Sequence, residues 1–337
     1  MISAEILAKL HTNQRLLIVE LINRGVDIYP IDLSIELFGA EYKKHREYLL
    51  DRFSSVVPYV QAQLTSDKFL TKKILQDNGL QTPAGNVFDI KNRDEIVSYV
   101  REELRFPIVI KPNRWSHGDD VYMNITSLQE LEQLLKDLYK EIGNAAFVVE
   151  EQFDGNEYRI FYTKQGEYAI LQREPAYVIG DGKHTIKFLA DQETYLRAHP
   201  RMNCLCPILI DDLFLKKMNM TADTIPATWE KIYVRSNSNV AKWGVAINYT
   251  DKIHPSLLKI AEKALDAFRW LPYIWIDFMC KDISKAHNKN TYVIIEVNTN
   301  PGIAMHMQPW EWAIVDVASM LANIIFPETK KIKKKKK

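Results

Sequence analysis

Oxygen-bearing side chains cluster near the end of the chain, in the segment TYVIIEVNTNPGIAMH that begins at Thr291. Successive side chains of a β-strand point to opposite faces, so Glu296 and Asn298 share one face and Val297 points to the other. Asp277 belongs to a second apolar run, YIWIDFM. We therefore expect three oxygen-bearing side chains to converge, in a donor set that suits Mg²⁺ bound together with nucleotide phosphates.

A solvated sheet face is the ordinary alternative for a Glu and an Asn on one strand. The flanking VII and IWI runs are typical of buried strands, however, and an unpaired carboxylate is costly to bury. These acids therefore need partners, and a metal nucleotide is the hypothesis that we carry forward.

Two lysines could supply ammonium groups to such a nucleotide. Lys111 follows the apolar strand FPIVI, and Lys68 lies in SDKFLTKKIL, where the spacing predicts a helix with Ser66 as its N-cap. Lysines at strand ends are mostly solvated, but ammonium groups from two elements can together hold a polyphosphate. The loop 115–120, WSHGDD, adds backbone N–H groups that could cap phosphates.

The segment VVEEQFDGNEYRI predicts a strand that ends at Glu150, a short connector, and a second strand that begins at Glu157. Backbone groups at such a strand exit can bind an adenine edge, and Glu157 could accept hydrogen bonds from ribose hydroxyls. Arg159 and Arg173 lie on consecutive predicted strands and could direct two guanidinium groups at one anion. Pairing with surface acids is the alternative for both arginines.

Composition indicates an ordinary soluble protein, since 47% of the 337 residues are hydrophobic and the length suggests two or three globular units. The first residues show no signal-peptide pattern, and no apolar run approaches the roughly 20 residues of a membrane span. We therefore expect a cytoplasmic protein without a membrane partner. Cys204, Cys206 and Cys280 are too few for a disulfide framework and lack zinc-site spacing.

The charge is distributed unevenly along the chain. Of the 44 basic residues, seven lysines occupy positions 330–337, so the remainder carries 37 basic against 43 acidic residues. A terminal lysine run is most often a disordered, solvated tail, with binding to a nucleic acid or an anionic surface as the alternative. The body has no basic stripe with interleaved aromatic residues, so we expect no nucleic-acid partner.

Alternating helical and strand patterns indicate how these residues are positioned. Helices at 4–24 and 36–52 predict a short N-terminal α/β unit over 1–64. Residues 65–156 predict a compact α+β unit, and residues 157–329 predict a strand-rich unit with a hairpin at Gly166. Within these units we expect helices at 93–104, 127–142 and 256–268 and strands at 106–112 and 145–151.

The candidate residues occur in the order and spacing of the ATP-grasp ligases. Within that superfamily, the chain resembles the ATP-grasp part of cyanophycin synthetase and the glutathione synthetase part of the bifunctional glutamate-cysteine ligase/glutathione synthetase. The segments ILQREPAYVIGDGKHTI, IPATWEKIYVRSNSN, INYTDKIHPS and EVNTNPGIAMH carry the resemblance, which covers roughly Thr65 to Glu328. It implies an α+β, ATP-grasp fold whose two α+β subdomains (65–156 and 157–329) enclose the nucleotide, after the short N-terminal unit.

The resemblance also implies roles for the matching residues. The residues expected to bind ATP are Lys68 and Lys111 at the phosphates, and Glu150, the backbone of Phe153, and Glu157 at the adenosine. Those expected to ligate two Mg²⁺ ions, with Mn²⁺ as a substitute, are Asp277, Glu296 and Asn298. Those expected to stabilise the transferred phosphate and an acylphosphate are Arg159 and Arg173. Those expected to line the acceptor region are Arg235, Asn300 and His306.

The function implied is an ATP- and Mg²⁺-dependent carboxylate-amine ligase that forms an amide bond on an amino acid or small peptide, in a homodimer. Alternatives are a ligase that tailors a ribosomal or carrier-linked peptide, a nucleotide-binding regulator without turnover, and a kinase of the same fold. Three departures from the family bear on these alternatives. Trp115 and Asp120 replace glycines in the phosphate loop, and Lys242 and Trp243 replace small polar residues. We also expect the family's partner modules to be absent.

Overall fold

A computed structural model describes residues 2–114, 121–197, 208–235, 244–300, 302–308 and 313–330. Its helices are α1 (Ala4–Lys9), α2 (Thr12–Asn23), α3 (Tyr59–Ser66), α4 (Lys68–Asp77), α5 (Arg93–Glu103), α6 (Leu128–Ile142), α7 (Ile186–Arg197), α8 (Asp212–Lys217), α9 (Ser256–Ala267), α10 (Ala304–Met307) and α11 (Val317–Ile325).

The strands are interspersed with these helices along the chain, singly or in groups. They are β1 (Asp27–Asp32), β2 (Leu37–Tyr42), β3 (His45–Leu50), β4 (Phe53–Ser54), β5 (Gly85–Asp89), β6 (Ile108–Pro112), β7 (Tyr122–Ile125), β8 (Ala146–Glu151), β9 (Asn156–Thr163), β10 (Tyr168–Glu174), β11 (Tyr177–Ile179), β12 (Lys231–Tyr233), β13 (Val245–Asn248), β14 (Tyr273–Cys280) and β15 (Tyr292–Asn298). Helices and strands are thus mixed, as the α+β class predicts.

The described residues form two compact units. The first unit comprises the described parts of Met1–Val56, Ala169–Thr250 and Asn300–Lys337, and the second comprises those of Val57–Tyr168 and Asp251–Thr299. The subdomain boundaries inferred from the sequence stay a prediction.

The helix predicted at 36–52 is wrong, because this segment forms the antiparallel strands β2 and β3. A tight turn joins them, with Lys43 at a φ of 57°. Phe38 of β2 lies opposite Leu49 of β3, and both side chains are fully buried. Charged residues are frequent in this segment and its few apolar residues do not define a period, so pairing with β1 and β4 decides its conformation. The helix predicted at 4–24 is divided into α1 and α2.

The second unit contains a four-stranded antiparallel sheet in the order β5-β8-β6-β7. One face packs against α5 and α6, in a core that includes Ile108, Ile110, Phe147 and Val149. The alternate residues of β6 and β8, among them Lys111 and Glu150, point to the other face. The helices and strands predicted between residues 93 and 151 are confirmed.

The same unit contains the two predicted acid-bearing strands, which pair as β14 and β15. β14 lies between β15 and β9, antiparallel to both. Its residues are buried at every position except Met279. The ring of Trp275 lies 4.5 Å from that of Phe161 on β9, so aromatic packing supports the register of this pair.

Within the described residues, no helix combines the length and the apolar character that crossing a bilayer requires.

His45 connects the N-terminal sheet of the first unit to the end of the chain. Its Nε2 lies 2.9 Å from Glu47 Oε1, and its Nδ1 lies 2.8 Å from Glu328 Oε1. The imidazole ring also packs on Phe326, at 4.7 Å between ring centroids. The hydrogen bond with Glu47, followed by the bond and charge of Glu328, raises the pKa of His45 even though burial opposes this shift.

We expect His45→Gln to destabilise the protein more at low pH than at high pH. Because the folded state raises the pKa of His45, the contribution is complete below about pH 6.5 and is lost as the pH rises through the folded-state pKa. Urea unfolding at about pH 5.5 and about pH 8.5 measures the effect, which should differ by about 0.5–1 kcal/mol for a partly exposed ion pair. An equal loss at both pH values would assign the effect to packing on Phe326.

Candidate active site

A row of charged residues crosses the three paired strands of the second unit. Asp277 on β14 lies directly opposite Arg159 on β9 and directly opposite Glu296 on β15. Residues that face each other across antiparallel strands point to the same side of the sheet, so the three side chains share one face. The Nε of Arg159 lies 2.6 Å from Oδ1 of Asp277. The register thus brings together a guanidinium and two carboxylates.

Asn298 extends this row along β15. Its Nδ2 donates a hydrogen bond of 2.9 Å to Oε1 of Glu296, and Val297 between them is fully buried on the opposite face, as the strand period predicts. A β-bulge interrupts the register immediately after Asp277, where Phe278 pairs with Ile294. Bulges reorient neighbouring side chains and are frequent next to active sites.

Helix α4 carries Lys68 at its first residue and is joined to the end of β6. The predicted N-cap Ser66 is wrong, because Ser66 ends α3 and the side chain of Asp67 caps α4 instead. Asn113, two residues after Lys111, accepts a hydrogen bond from Lys68 N at 3.1 Å and another from Phe69 N at 2.9 Å. Asn113 therefore fixes the two lysine-bearing elements to each other.

Further bonds hold this helical region against β15. Thr65 Oγ1 lies 3.3 Å from Thr299 Oγ1, and Ile294 N donates to the carbonyl oxygen of Gln81, which follows α4, at 2.8 Å. These contacts hold Lys68 close enough to Glu296 for their charges to interact.

The charges of nearby carboxylates act on Lys68. Burial lowers its pKa, and the charges of Glu296, Asp277 and Glu150 oppose that shift while the charge of Lys111 adds to it. Burial alone would raise the pKa of Glu296, but the charges of Lys68 and Arg159, a hydrogen bond from Asn298 and the charge of Lys111 lower it. Glu296 is thus held in its ionised form.

A second charged cluster surrounds Glu150, whose side chain is almost fully buried on β8. Lys111 donates a hydrogen bond to Oε1 of Glu150, and Lys72 Nζ lies 2.5 Å from Oε2. Although burial alone would raise the pKa of Glu150, the charges of Lys111 and Lys72 lower it. Sequence reasoning overlooked Lys72, yet a signal was available, because Lys68 and Lys72 are four residues apart and share one face of a helix.

Two glycines allow close approach of neighbouring segments in this unit, one of them at Glu150. Gly85 on β5 pairs with Glu150, and a Cβ at residue 85 would lie 2.5 Å from the Glu150 Cβ. Gly155, in the connector before β9, would place a Cβ 2.9 Å from the backbone of Cys280. Phe153 and Glu157, on either side of Gly155, are partly exposed, and their expected contacts with adenosine stay predictions.

The donor set around residue 296 fits a hard divalent ion. In the described part of the chain, no group of three His, Cys, Asp or Glu side chains is arranged to hold a metal. Asp277 and Glu296 nevertheless face each other, and the bond from Asn298 Nδ2 to Glu296 leaves the amide oxygen for another ligand. Mg²⁺ commonly takes one or two carboxylates and completes its shell with water and phosphate oxygens, which is the kind of set present here.

The remaining predicted site residues belong to the first unit: Arg173, Arg235, Asn300 and His306. Arg173 is buried on β10, and His306 is fully buried in α10. Burial lowers the pKa of Arg235, and the charge of Asp211 opposes that shift. The roles of these four residues toward the phosphate and the acceptor stay predictions.

Several sequence predictions fall outside the described residues. They concern the phosphate-capping loop 115–120 with Trp115 and Asp120, the substituted segment with Lys242 and Trp243, the thiols of Cys204 and Cys206, and the lysine run at 331–337.

Comparison with known proteins adds a family to this geometry. Residues 65–174 match the model of the RimK-like ATP-grasp domain. A cyanophycin synthetase of Crocosphaera subtropica is 32% identical over 85% of this chain. The glutathione biosynthesis bifunctional protein of Clostridium perfringens is 29% identical over 94% of this chain. The chain spans only 33% and 41% of the lengths of these two relatives.

A solved structure matches nearly the whole chain. A bifunctional glutathione synthetase from Pasteurella multocida matches 96% of this chain with a TM-score of 0.70 and 25% sequence identity, and this chain covers 44% of it. The similarity therefore extends beyond the residues that match the family model.

We expect Asn113→Ala to destabilise the protein by about 1–2 kcal/mol, because it leaves one amide at the start of α4 without its side-chain acceptor. Urea unfolding measures the loss. Asn92→Ala is the matched control, since Asn92 occupies the N-cap of α5 but makes no side-chain cap bond. Equal destabilisation by the two substitutions would contradict the assigned role of Asn113.

Proposed function

The chain carries a RimK-like ATP-grasp domain at residues 65–174 and has the ATP-grasp fold predicted from its sequence, and on this premise we propose that it is an ATP- and Mg²⁺-dependent carboxylate-amine ligase. The observation that carries the proposal is the charged cluster of the second unit. The cluster contains three carboxylates and four cationic side chains, so the positive charges exceed the negative charges by one. The carboxylates are Glu150, Asp277 and Glu296, and the cationic side chains are Lys68, Lys72, Lys111 and Arg159.

A partly buried excess of positive charge favours a polyanionic ligand. Lys68 and Lys111 extend from α4 and β6, which Asn113 joins, so the backbone positions that carry the two lysines are fixed relative to each other before a ligand arrives. A fixed backbone reduces the rearrangement needed to bring these charges to a polyanion. In this proposal the two lysines bind the ATP phosphates, and Glu150, the backbone of Phe153 and Glu157 bind the adenosine.

The proposed reaction has two steps. A carboxylate oxygen of the substrate attacks the γ-phosphorus of ATP, and ADP leaves, so that the poor leaving group of the acid becomes a phosphate. An amine then attacks the acyl carbon, phosphate departs with the electron pair of the broken C–O bond, and the amine loses a proton as the amide forms. Arg159 and Arg173 stabilise negative charge on the transferred phosphoryl group.

Asp277, Glu296 and Asn298 would hold the metal in this proposal. Magnesium supplies charge neutralisation on the phosphate oxygens, and we propose two ions for the site. The protein holds Glu296 ionised through Lys68 and Arg159, which keeps the ligand set ready without a proton leaving first. Arg235, Asn300 and His306 are proposed to line the acceptor region.

The names of the relatives suggest the class of substrate. Cyanophycin synthetase and glutathione synthetase are named for products built from amino acids, and we propose that this chain joins an amino acid or a small peptide to an amine. A homodimer and a cytoplasmic location complete the proposal.

We expect ADP and phosphate release that depends on an added acid and amine. A screen over amino acids and dipeptides with Mg²⁺ and ATP measures both products. Asp277→Asn and Glu296→Gln should each lower kcat/KM by at least about 100-fold, because each removes a charge that neutralises the transferring phosphate through the metal.

Asp137→Asn is the matched control for this experiment, since Asp137 is exposed on α6 and its carboxylate accepts bonds from Gln133. Tight ATP binding without turnover across the panel would favour a regulator over a ligase. Turnover that Asp277→Asn leaves unchanged would contradict the proposed metal site.

A further inference from the structure

Lys72 has no role in the proposed reaction, yet it is buried in an ion pair beside the proposed nucleotide site. We propose that Lys72 is a positioning residue that keeps the carboxylate of Glu150 compensated, so that Lys111 can turn from Glu150 to the phosphates of a bound nucleotide. This inference rests on the proposed function to the extent that the ligand is a nucleotide.

The geometry assigns one lysine to each carboxylate oxygen. Oε1 of Glu150 accepts from Lys111, and Oε2 accepts from Lys72 at 2.5 Å. Glu150 is 2% exposed and Lys72 is 4% exposed, so water cannot replace either ammonium group. The carboxylate is therefore compensated twice.

This double compensation matters when Lys111 changes partners. If Glu150 had only Lys111, a move of that ammonium toward phosphate would leave a buried carboxylate uncompensated, which is strongly unfavourable. With Lys72 in place, Glu150 keeps one ion pair after Lys111 departs. Lys111 can then contribute its charge to a ligand without leaving the buried carboxylate of Glu150 uncompensated.

Lys68 and Lys72 divide these tasks along one face of α4. The principal carboxylate near Lys68 is Glu296, whereas the principal carboxylate near Lys72 is Glu150. Lys68 is also partly exposed, while Lys72 is buried. Of the two, Lys68 is thus placed to contact a ligand and Lys72 is placed to hold a neighbouring side chain.

The test compares ADP with adenosine, which lacks phosphates, as calorimetric ligands of the full chain in the presence of Mg²⁺. Lys72→Met should weaken ADP binding by at least about tenfold, because Lys111 must then stay with Glu150. Adenosine binding should change by less than about twofold, since that ligand does not require Lys111 to move. Thermal unfolding of each variant shows that binding is measured on folded protein.

Two further variants separate this role from a structural one. Lys73→Met removes the neighbouring lysine, which is exposed on α4, and should leave both affinities unchanged. In the Glu150→Gln background, Lys72→Met should have little additional effect on ADP binding, because no carboxylate remains to be compensated.

The outcomes distinguish this inference from the proposed function. A wild-type protein that binds ADP, together with a folded Lys72→Met variant that binds it equally well, overturns the inference alone. Equal weakening of ADP and adenosine also overturns it, since Lys72 would then act through the adenine end. A wild-type protein that binds no ADP overturns the proposed function together with the inference.

Discussion

Compensation of buried charge is the constraint on which the second unit depends. Glu150 and Asp277 are nearly inaccessible to water, and an ionised carboxylate in that environment requires a cation within a few ångströms. Each carboxylate has at least one such cation, because Glu150 lies between Lys72 and Lys111 and Asp277 is paired with Arg159. The strands and α4 must therefore be placed accurately for this unit to be stable at all.

The elements around the site supply that accuracy with backbone bonds. Antiparallel pairing of β9, β14 and β15 fixes Arg159, Asp277 and Glu296 in a single row. Bonds from the first residues of α4 to Asn113 fix Lys68 relative to β6. A site built on strands and a helix start is more rigid than one built on loops, which suits the positioning and electrostatic stabilisation that the proposed phosphoryl transfer would need.

Much of this unit could be predicted from short-range patterns. The alternation around Glu296 correctly placed Asn298 beside it and Val297 on the opposite face, since the period of a strand is two residues. The helix predicted at 36–52 was wrong because the few apolar residues of this charged segment do not define a period, and pairing between strands decided its conformation. The predicted N-cap was wrong by one residue, because Ser66 ends α3 and the side chain of Asp67 accepts the hydrogen bond from Leu70 N.

The amino-acid sequence by itself determined which side chains share a face of a strand or a helix, because that depends only on backbone period. It also contained the lysine spacing at residues 68 and 72. Only the tertiary structure decided that Lys72 meets Glu150 and that Asp277 faces both Arg159 and Glu296. These partners are far apart in the chain, and strand register and helix docking, which arise from packing of the whole unit, bring their charges together.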